Sequence, residues 1–334
     1  MAKIRVAQIG VGHDHASGFM DTMRRMPETY EVVGVCAESA EYEGLLRTNP
    51  CYDGIPHRDR DDILGDGSID AILVETEEHS LVPNTLLAIG AGFPVHMDKP
   101  GGEDLSAFTD MVRRAEAKRL PFQMGYMYRY NPAVRMAEKM ARDGELGDII
   151  AVDAQMSVRH PPEKRAWLNR FRGGMMFFLG CHLVDMIYRF QGIPLSVTPM
   201  NRHTRTEGID CPDYGFAVFD YGRAISFAKT SAAEVNGFDR RQLVITGTKA
   251  SVELKPFEYY VKGGMTTGMK VTRHEPGKEW RDNGETVALP PIGRYDKMME
   301  EFAAAVHGDM ALPYTYQSEI DVQKMVLDAC GIPV

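Results

Sequence analysis

The chain has 334 residues, of which 44% are apolar and 25% charged, enough to bury two hydrophobic cores beneath a solvated surface. Its 38 Lys and Arg face 47 Asp and Glu, a net charge of −9, which argues against a nucleic acid or an anionic membrane as the main partner. No segment approaches ~18 uninterrupted apolar residues, and the start, MAKIRVAQIG, lacks the long apolar stretch of a secretion signal. A cytoplasmic protein with no membrane partner is expected. Cys36, Cys51, Cys181, Cys211 and Cys330 are scattered and form no CxxC, so neither a disulfide framework nor a zinc knuckle is expected.

Residues 3–9 read as a buried strand, followed by a glycine turn and an amphipathic helix over 16–26. Strands are expected at 31–36, 69–74, 95–97 and 122–125, with helices at 81–91 and 104–118. Strands alternating with helices at this spacing make parallel βαβ units and a doubly wound sheet. After residue 125 the texture changes. A helix at 132–142 precedes strand-like runs at 149–158, 214–220, 224–231, 242–246 and 250–254. Several of these meet at Gly-containing turns, the pattern of a mostly antiparallel sheet. Helices are expected at 181–190, 294–306 and 316–330, and 262–285, rich in Gly and charge, reads as an exposed hairpin region or loop. The division expected is 1–125 for the first domain and 126–334 for the second.

The turn after the first strand is Ile9-Gly10-Val11-Gly12-His13-Asp14-His15. Gly10 permits a tight turn, Gly12 lets the backbone approach a pyrophosphate, and the helix that follows offers free N–H groups. His15 stands where a third glycine is usual. Glu38, just past the second strand, is the candidate acid for the ribose hydroxyls, and no Arg follows it to receive a 2′-phosphate. That favours NAD over NADP. His13, Asp14 and His15 lack a helix-spaced ligand pair, so no metal is expected. His13 and His15 are read as lining the cofactor pocket, with Asp14 or His15 near the helix N-cap. Thr76 and His79, after the third strand, are further cofactor candidates. Asp98-Lys99-Pro100 follows the fourth strand, at the sheet edge where ligands bind. A Lys there can hold a substrate hydroxyl and stabilise developing charge.

Together with Gly125-Tyr126-Met127-Tyr128-Arg129-Tyr130-Asn131-Pro132, Gly144-Glu145-Leu146-Gly147-Asp148, Gly173-Gly174 through His182-Leu183-Val184-Asp185 and the run 242–250, these motifs resemble the Gfo/Idh/MocA family along the whole chain. The resemblance implies an α/β protein: an N-terminal Rossmann domain, then a C-terminal α/β domain with a large, mostly antiparallel open sheet. It implies hydride transfer between NAD(P) and a sugar, cyclitol or related hydroxy or keto compound. It also implies a homodimer or homotetramer built through the C-terminal sheet.

The resemblance further assigns catalysis to Lys99, His182 and Asp185. Lys99 also touches the cofactor. An imidazole suits proton transfer because its ordinary pKa lies near neutrality. Asp185, one helical turn on, could orient it or bind a hydroxyl. The family pattern has Asp four residues before this His, where this chain has Phe178, and Phe can neither accept a proton nor bind a hydroxyl. That departure keeps two alternatives open: an NAD-dependent redox glycosidase or lyase of the same fold, or an inactive nucleotide- or sugar-binding member. Tyr128, Arg129, Arg159, Trp167 and Phe178 are the substrate-pocket candidates, and a solvated loop or interdomain packing is the competing reading for them.

Overall fold

The computed structural model describes residues 2–278, 280 and 283–333. Glu279, Arg281 and Asp282, within the expected 262–285 loop, lie outside the described residues. The chain forms two compact units. One holds the residues up to Met127 with Tyr295–Ile320, the other Tyr128–Arg294 with the residues from Asp321 on.

The first unit runs β1 (Ile4–Ile9), α1 (Ala16–Arg24), β2 (Tyr30–Cys36), α2 (Glu43–Thr48), α3 (Arg60–Leu64), β3 (Ala71–Val74), α4 (Leu81–Ala91), β4 (Val95–Met97), α5 (Leu105–Lys118) and β5 (Phe122–Met124). The strands are parallel, in the order β2-β1-β3-β4-β5. Helices cover both faces of such a sheet, which is why its strands are continuously apolar. Ile9, Val35, Ile72, Leu73, Val74, Val95 and Met97 have no exposure. In α5 the buried residues Phe108, Met111, Val112 and Ala115 recur at helical spacing. The Asp104 side chain caps its start, accepting from the Ala107 N–H at 3.0 Å. The chain moves outward from β1 to β2, then crosses back to β3. The topological switch point therefore lies between the C-terminal ends of β1 and β3, where ligands of open parallel sheets bind.

The second unit contains α6 (Pro132–Arg142), β6 (Ile149–Ser157), α7 (Pro162–Trp167), α8 (Cys181–Gln191), β7 (Ser196–Pro199), β8 (Tyr214–Asp220), β9 (Ile225–Ser231), β10 (Gln242–Gly247), β11 (Ala250–Leu254), β12 (Tyr259–Val261), β13 (Gly264–Thr266), β14 (Met269–Arg273) and β15 (Glu285–Val287). Eight strands form one sheet in the order β15-β14-β11-β10-β6-β9-β8-β7. Every pair is antiparallel except β6 and β9. One face is buried with period two: Ala217 and Phe219, Leu243 and Ile245, Val252 and Leu254. Helix α8 packs on β6 and β9. This is the α/β architecture expected, a parallel sheet followed by a mixed, mostly antiparallel one.

The chain ends in α9 (Asp296–His307) and α10 (Tyr316–Cys330). Helix α9 is fastened to the first unit. The Tyr30 hydroxyl donates to the Met299 carbonyl at 2.6 Å, Gln123 donates to the Met298 carbonyl at 3.2 Å, and Phe302 packs against His96. The expected 262–285 loop contains β14, a full partner of β11 with Met269 and Val271 buried. Alternation in Met269-Lys270-Val271-Thr272 carries the strand there, hidden in sequence by the surrounding Gly and charge. All five cysteines are buried and none forms a disulfide. Among the described residues, no helix is long and apolar enough to cross a membrane.

Candidate functional site

In the first unit the glycine turn leaves β1 at the switch point. Gly10 has φ +95°, and a Cβ there would lie 2.5 Å from the Thr76 backbone nitrogen. Only glycine meets both demands. Thr76, a cofactor candidate, is thus buried directly beneath the turn. Gly12 is held for a different reason: a Cβ would lie 2.1 Å from Glu38 Oε1. Glu38 Oε2 accepts the Val11 N–H at 2.9 Å, and Oε1 accepts those of Gly12 at 3.0 Å and Glu77 at 2.9 Å. Three backbone amides from two strand-end loops therefore converge on one carboxylate, an anion-binding arrangement of the kind used for phosphates. The turn and its amides fit the pyrophosphate of an adenine dinucleotide on the condition that Glu38 leaves the Val11 and Gly12 amides it now accepts from and turns to the ribose. His79 is exposed on a single helical turn after Glu78.

His13 and His15 do not behave as caps. His15 occupies the N-cap position of α1, yet its side chain makes no capping hydrogen bond. Both imidazoles instead meet Asp98. His13 Nδ1 lies 2.7 Å and His15 Nδ1 3.0 Å from Asp98 Oδ2. Asp98 Oδ1 accepts the Lys99 N–H at 2.7 Å, and His13 Nε2 donates to the Lys99 carbonyl at 3.0 Å. Gly125, just past β5, makes room for this carboxylate, since a Cβ there would lie 2.5 Å from Asp98 Oδ1. Lys99 itself is buried.

Burial depresses the His15 pKa to about 4, although the Asp98 charge pulls it up. Burial likewise lowers His96. Burial pushes the Asp98 carboxyl upward, but the two imidazoles outweigh it and hold the group well below the usual carboxylate range. Glu75, buried and next to the Asp98 charge, is driven the other way. Opposed shifts within one buried cluster mark these groups as candidates for a functional site. The donor atoms of His13, His15 and Asp98 all lie within 4.8 Å of one another.

The second unit carries its own buried polar cluster. Arg129 Nε and its terminal nitrogen approach Asp185 Oδ1 at 2.9 and 2.7 Å, with both residues buried. Asp185 was expected to orient His182 or take a substrate hydroxyl, and the structure gives its carboxylate to Arg129. The His182 ring stands edge-on to Tyr128, with centroids 4.9 Å apart. The Tyr128 hydroxyl donates to Glu258 Oε2 at 2.7 Å, a carboxylate also bound by Arg241 at 2.7 Å and Arg294 at 2.6 Å. Glu258 has no exposure. Nothing in its sequence context marks it, because its partners lie far along the chain.

Of the remaining substrate candidates, Phe178 sits in a widened π-helical turn, Met176–Gly180, that leads into α8. It packs with Leu168, Met175 and Ala232, and Trp167 meets its ring edge-on at 5.2 Å. Lys164 Nζ lies 3.6 Å from the Trp167 ring and 4.8 Å from that of Phe178. Phe178 thus belongs to an aromatic patch crossed by an ammonium. Arg159 is exposed and, with the buried Arg165, pairs with Glu207.

Residues 134–253 match the GFO/IDH/MocA C-terminal domain. This match to part of the second unit agrees with the resemblance to the Gfo/Idh/MocA oxidoreductases carried by the sequence motifs. The chain is 24% identical over 287 residues to the scyllo-inositol 2-dehydrogenase (NADP(+)) of Bacillus subtilis, covering 80% of this chain and 77% of that one. It is also 24% identical over 267 residues to trans-1,2-dihydrobenzene-1,2-diol dehydrogenase of Bos taurus, 74% of this chain and 75% of that one. Levoglucosan dehydrogenase, solved with NADH and levoglucosan, shares the fold at a TM-score of 0.82 over the full length of both chains with 15% identity. An oxidoreductase of Thermotoga maritima does so at 0.78 and 17% identity, covering 99% of this chain and 97% of that one.

Proposed function

We propose that this chain is a member of the Gfo/Idh/MocA family and an NAD(P)-dependent dehydrogenase or reductase, with NAD preferred, acting on a sugar, cyclitol or related hydroxy or keto compound. The observation that carries the reading is the Glu38 carboxylate held by three amides at the glycine turn. Displaced from those amides by a pyrophosphate, it would accept ribose hydroxyls and repel a 2′-phosphate. The relatives that act on an inositol and a cyclic diol support the substrate class.

When bound, the nicotinamide accepts or donates the hydride. Lys99 serves the substrate oxygen: its ammonium offsets negative charge as the C–O bond changes order. His182 exchanges the hydroxyl proton. Asp185 acts through Arg129, fixing a guanidinium that would otherwise be a buried unpaired charge.

Calorimetry with NAD, NADH, NADP and NADPH on the nucleotide-free protein tests the cofactor, and absorbance at the nicotinamide band across a polyol and keto-sugar panel tests the reaction. Binding of NAD with turnover lost in Lys99→Ala and His182→Ala is expected. Release of an aglycone without net NADH formation would replace this reading with the redox-glycosidase one. Failure of all four nucleotides to bind would sink both.

A further inference from the structure

We propose that His13, His15 and Asp98 form a binding site for one first-row divalent metal ion. Three donor atoms converge from two loops far apart in sequence: Nδ1 of each imidazole and Oδ2 of Asp98. With metal–ligand bonds of about 2.0–2.2 Å, neighbouring ligands lie about 2.9 Å apart around an octahedral ion and about 3.4 Å apart around a tetrahedral one. The two imidazole nitrogens sit 2.7 and 3.0 Å from the carboxylate oxygen, close to the octahedral edge, and all three atoms lie within 4.8 Å of one another.

The hydrogen bonds around the site prepare it for a cation. A carbonyl can only accept, so His13 Nε2 carries the proton it gives to Lys99 O at 3.0 Å. The His15 N–H donates to His13 Nδ1 at 3.2 Å, so that nitrogen bears no proton and would exchange this long bond for the ion. The same unprotonated nitrogen lies 2.7 Å from a carboxylate oxygen, a close contact between two acceptors that a cation would relieve. A single proton can serve one pair of these atoms, whereas a metal ion serves all three. The His13–Lys99 bond is also the usual outer support of a metal-bound histidine, which fixes the tautomer and the ring. Asp98 is supported in the same way: its Oδ1 takes the Lys99 N–H, so Oδ2 is the oxygen presented.

Two imidazoles and one carboxylate suit Zn²⁺, Co²⁺, Fe²⁺ or Mn²⁺ better than Mg²⁺ or Ca²⁺. Three protein ligands leave at least one position for water or an oxygen ligand. His13 and Asp98 side chains have no exposure, while that of His15 is 15% exposed, so an ion enters past His15. The three donor atoms are distinct from Glu38 and the amides it binds, so Co²⁺ binding to the nucleotide-free protein tests the metal site apart from the dinucleotide reading.

The test uses the full-length protein, stripped with a chelator and titrated with Co²⁺, with visible d–d absorption and calorimetry as readouts. One Co²⁺ per chain is expected, with affinity falling about 100-fold in Asp98→Asn and about 10-fold or more in His15→Gln. X-ray absorption of the Zn²⁺-loaded wild type needs no variant. It should show two imidazoles and only nitrogen or oxygen ligands. Absence of Co²⁺ absorption in the wild type, equal affinity in variants with native circular dichroism, or a Zn–S distance of about 2.3 Å would each overturn the proposal.

Discussion

Gly12→Ala tests the glycine turn most directly, because the structure names what the new methyl group strikes. Its Cβ would lie 2.1 Å from Glu38 Oε1 and 2.8 Å from the Tyr42 ring, where real Cβ contacts essentially never fall below 3.0 Å. The backbone at Gly12 is not in the left-handed region, so alanine itself is tolerated there, and relief must come from the side chains. Glu38 can swing away only by releasing the bonds on Oε1, those from Gly12 and Glu77. Bonds to a charged acceptor contribute ~1.5–3 kcal/mol each when buried. Glu38 is half-buried and water replaces part of the loss, which leaves about 1 kcal/mol per bond. With the Tyr42 shift, Gly12→Ala should cost about 2–3 kcal/mol. In a Glu38→Ala background the carboxylate is already gone, and the same change should cost only about 0.5–1 kcal/mol, a coupling of about 1.5 kcal/mol. Urea denaturation of the four proteins in the cycle measures this. Equal costs of Gly12→Ala in both backgrounds would show that the carboxylate does not occupy the space the structure gives it.

Arg129→Ala removes one partner of a buried ion pair held at 2.7 and 2.9 Å. It should cost about 3–5 kcal/mol, read as a lowered denaturant midpoint, and a change below 1 kcal/mol would place the pair in water. Glu258→Gln keeps the shape but discharges the group that Arg241, Arg294 and Tyr128 share. It should cost more than Tyr128→Phe, at about 2–4 kcal/mol against about 1; the reverse order would contradict the network. Burial pushes the Cys36 and Cys51 thiols up to about 11. Their unfolded values lie lower, so folding favours the neutral thiol, and this stability is present below pH ~9 and lost as pH rises toward 11. Native protein should therefore resist a thiol reagent at pH 8 while all five cysteines react in guanidinium, and fast native labelling of Cys36 would refute it.

The parallel half of the fold was legible because each of its signals is local. A continuous apolar strand, a Gly-x-Gly turn and an amphipathic helix lie within a few residues of one another. The alternation in 242–246 and 250–254 gave the central antiparallel pair for the same reason. The stretch 262–285 was legible as a hairpin region or loop, but not its buried strand Met269–Arg273, because glycine and charge around it mask a five-residue alternation. The glycine turn, Glu38 and Lys99 were also legible, since strand ends locate ligand sites in this topology. Asp185 was legible as a polar residue of interest. Its partner was not, because Arg129 lies 56 residues away.

Composition and local periodicity, then, determined the two sheet types, the glycine turn and the placement of Glu38 and Lys99 at strand ends, since each depends on neighbours in the chain. Tertiary structure alone decided that α9 joins the first unit, that Glu258 gathers Tyr128 across 130 residues, and that His13 and His15 close on an aspartate 83 residues beyond His15. Such contacts arise when packing of strand ends brings distant loops to one edge. No local pattern records which side chains will meet there.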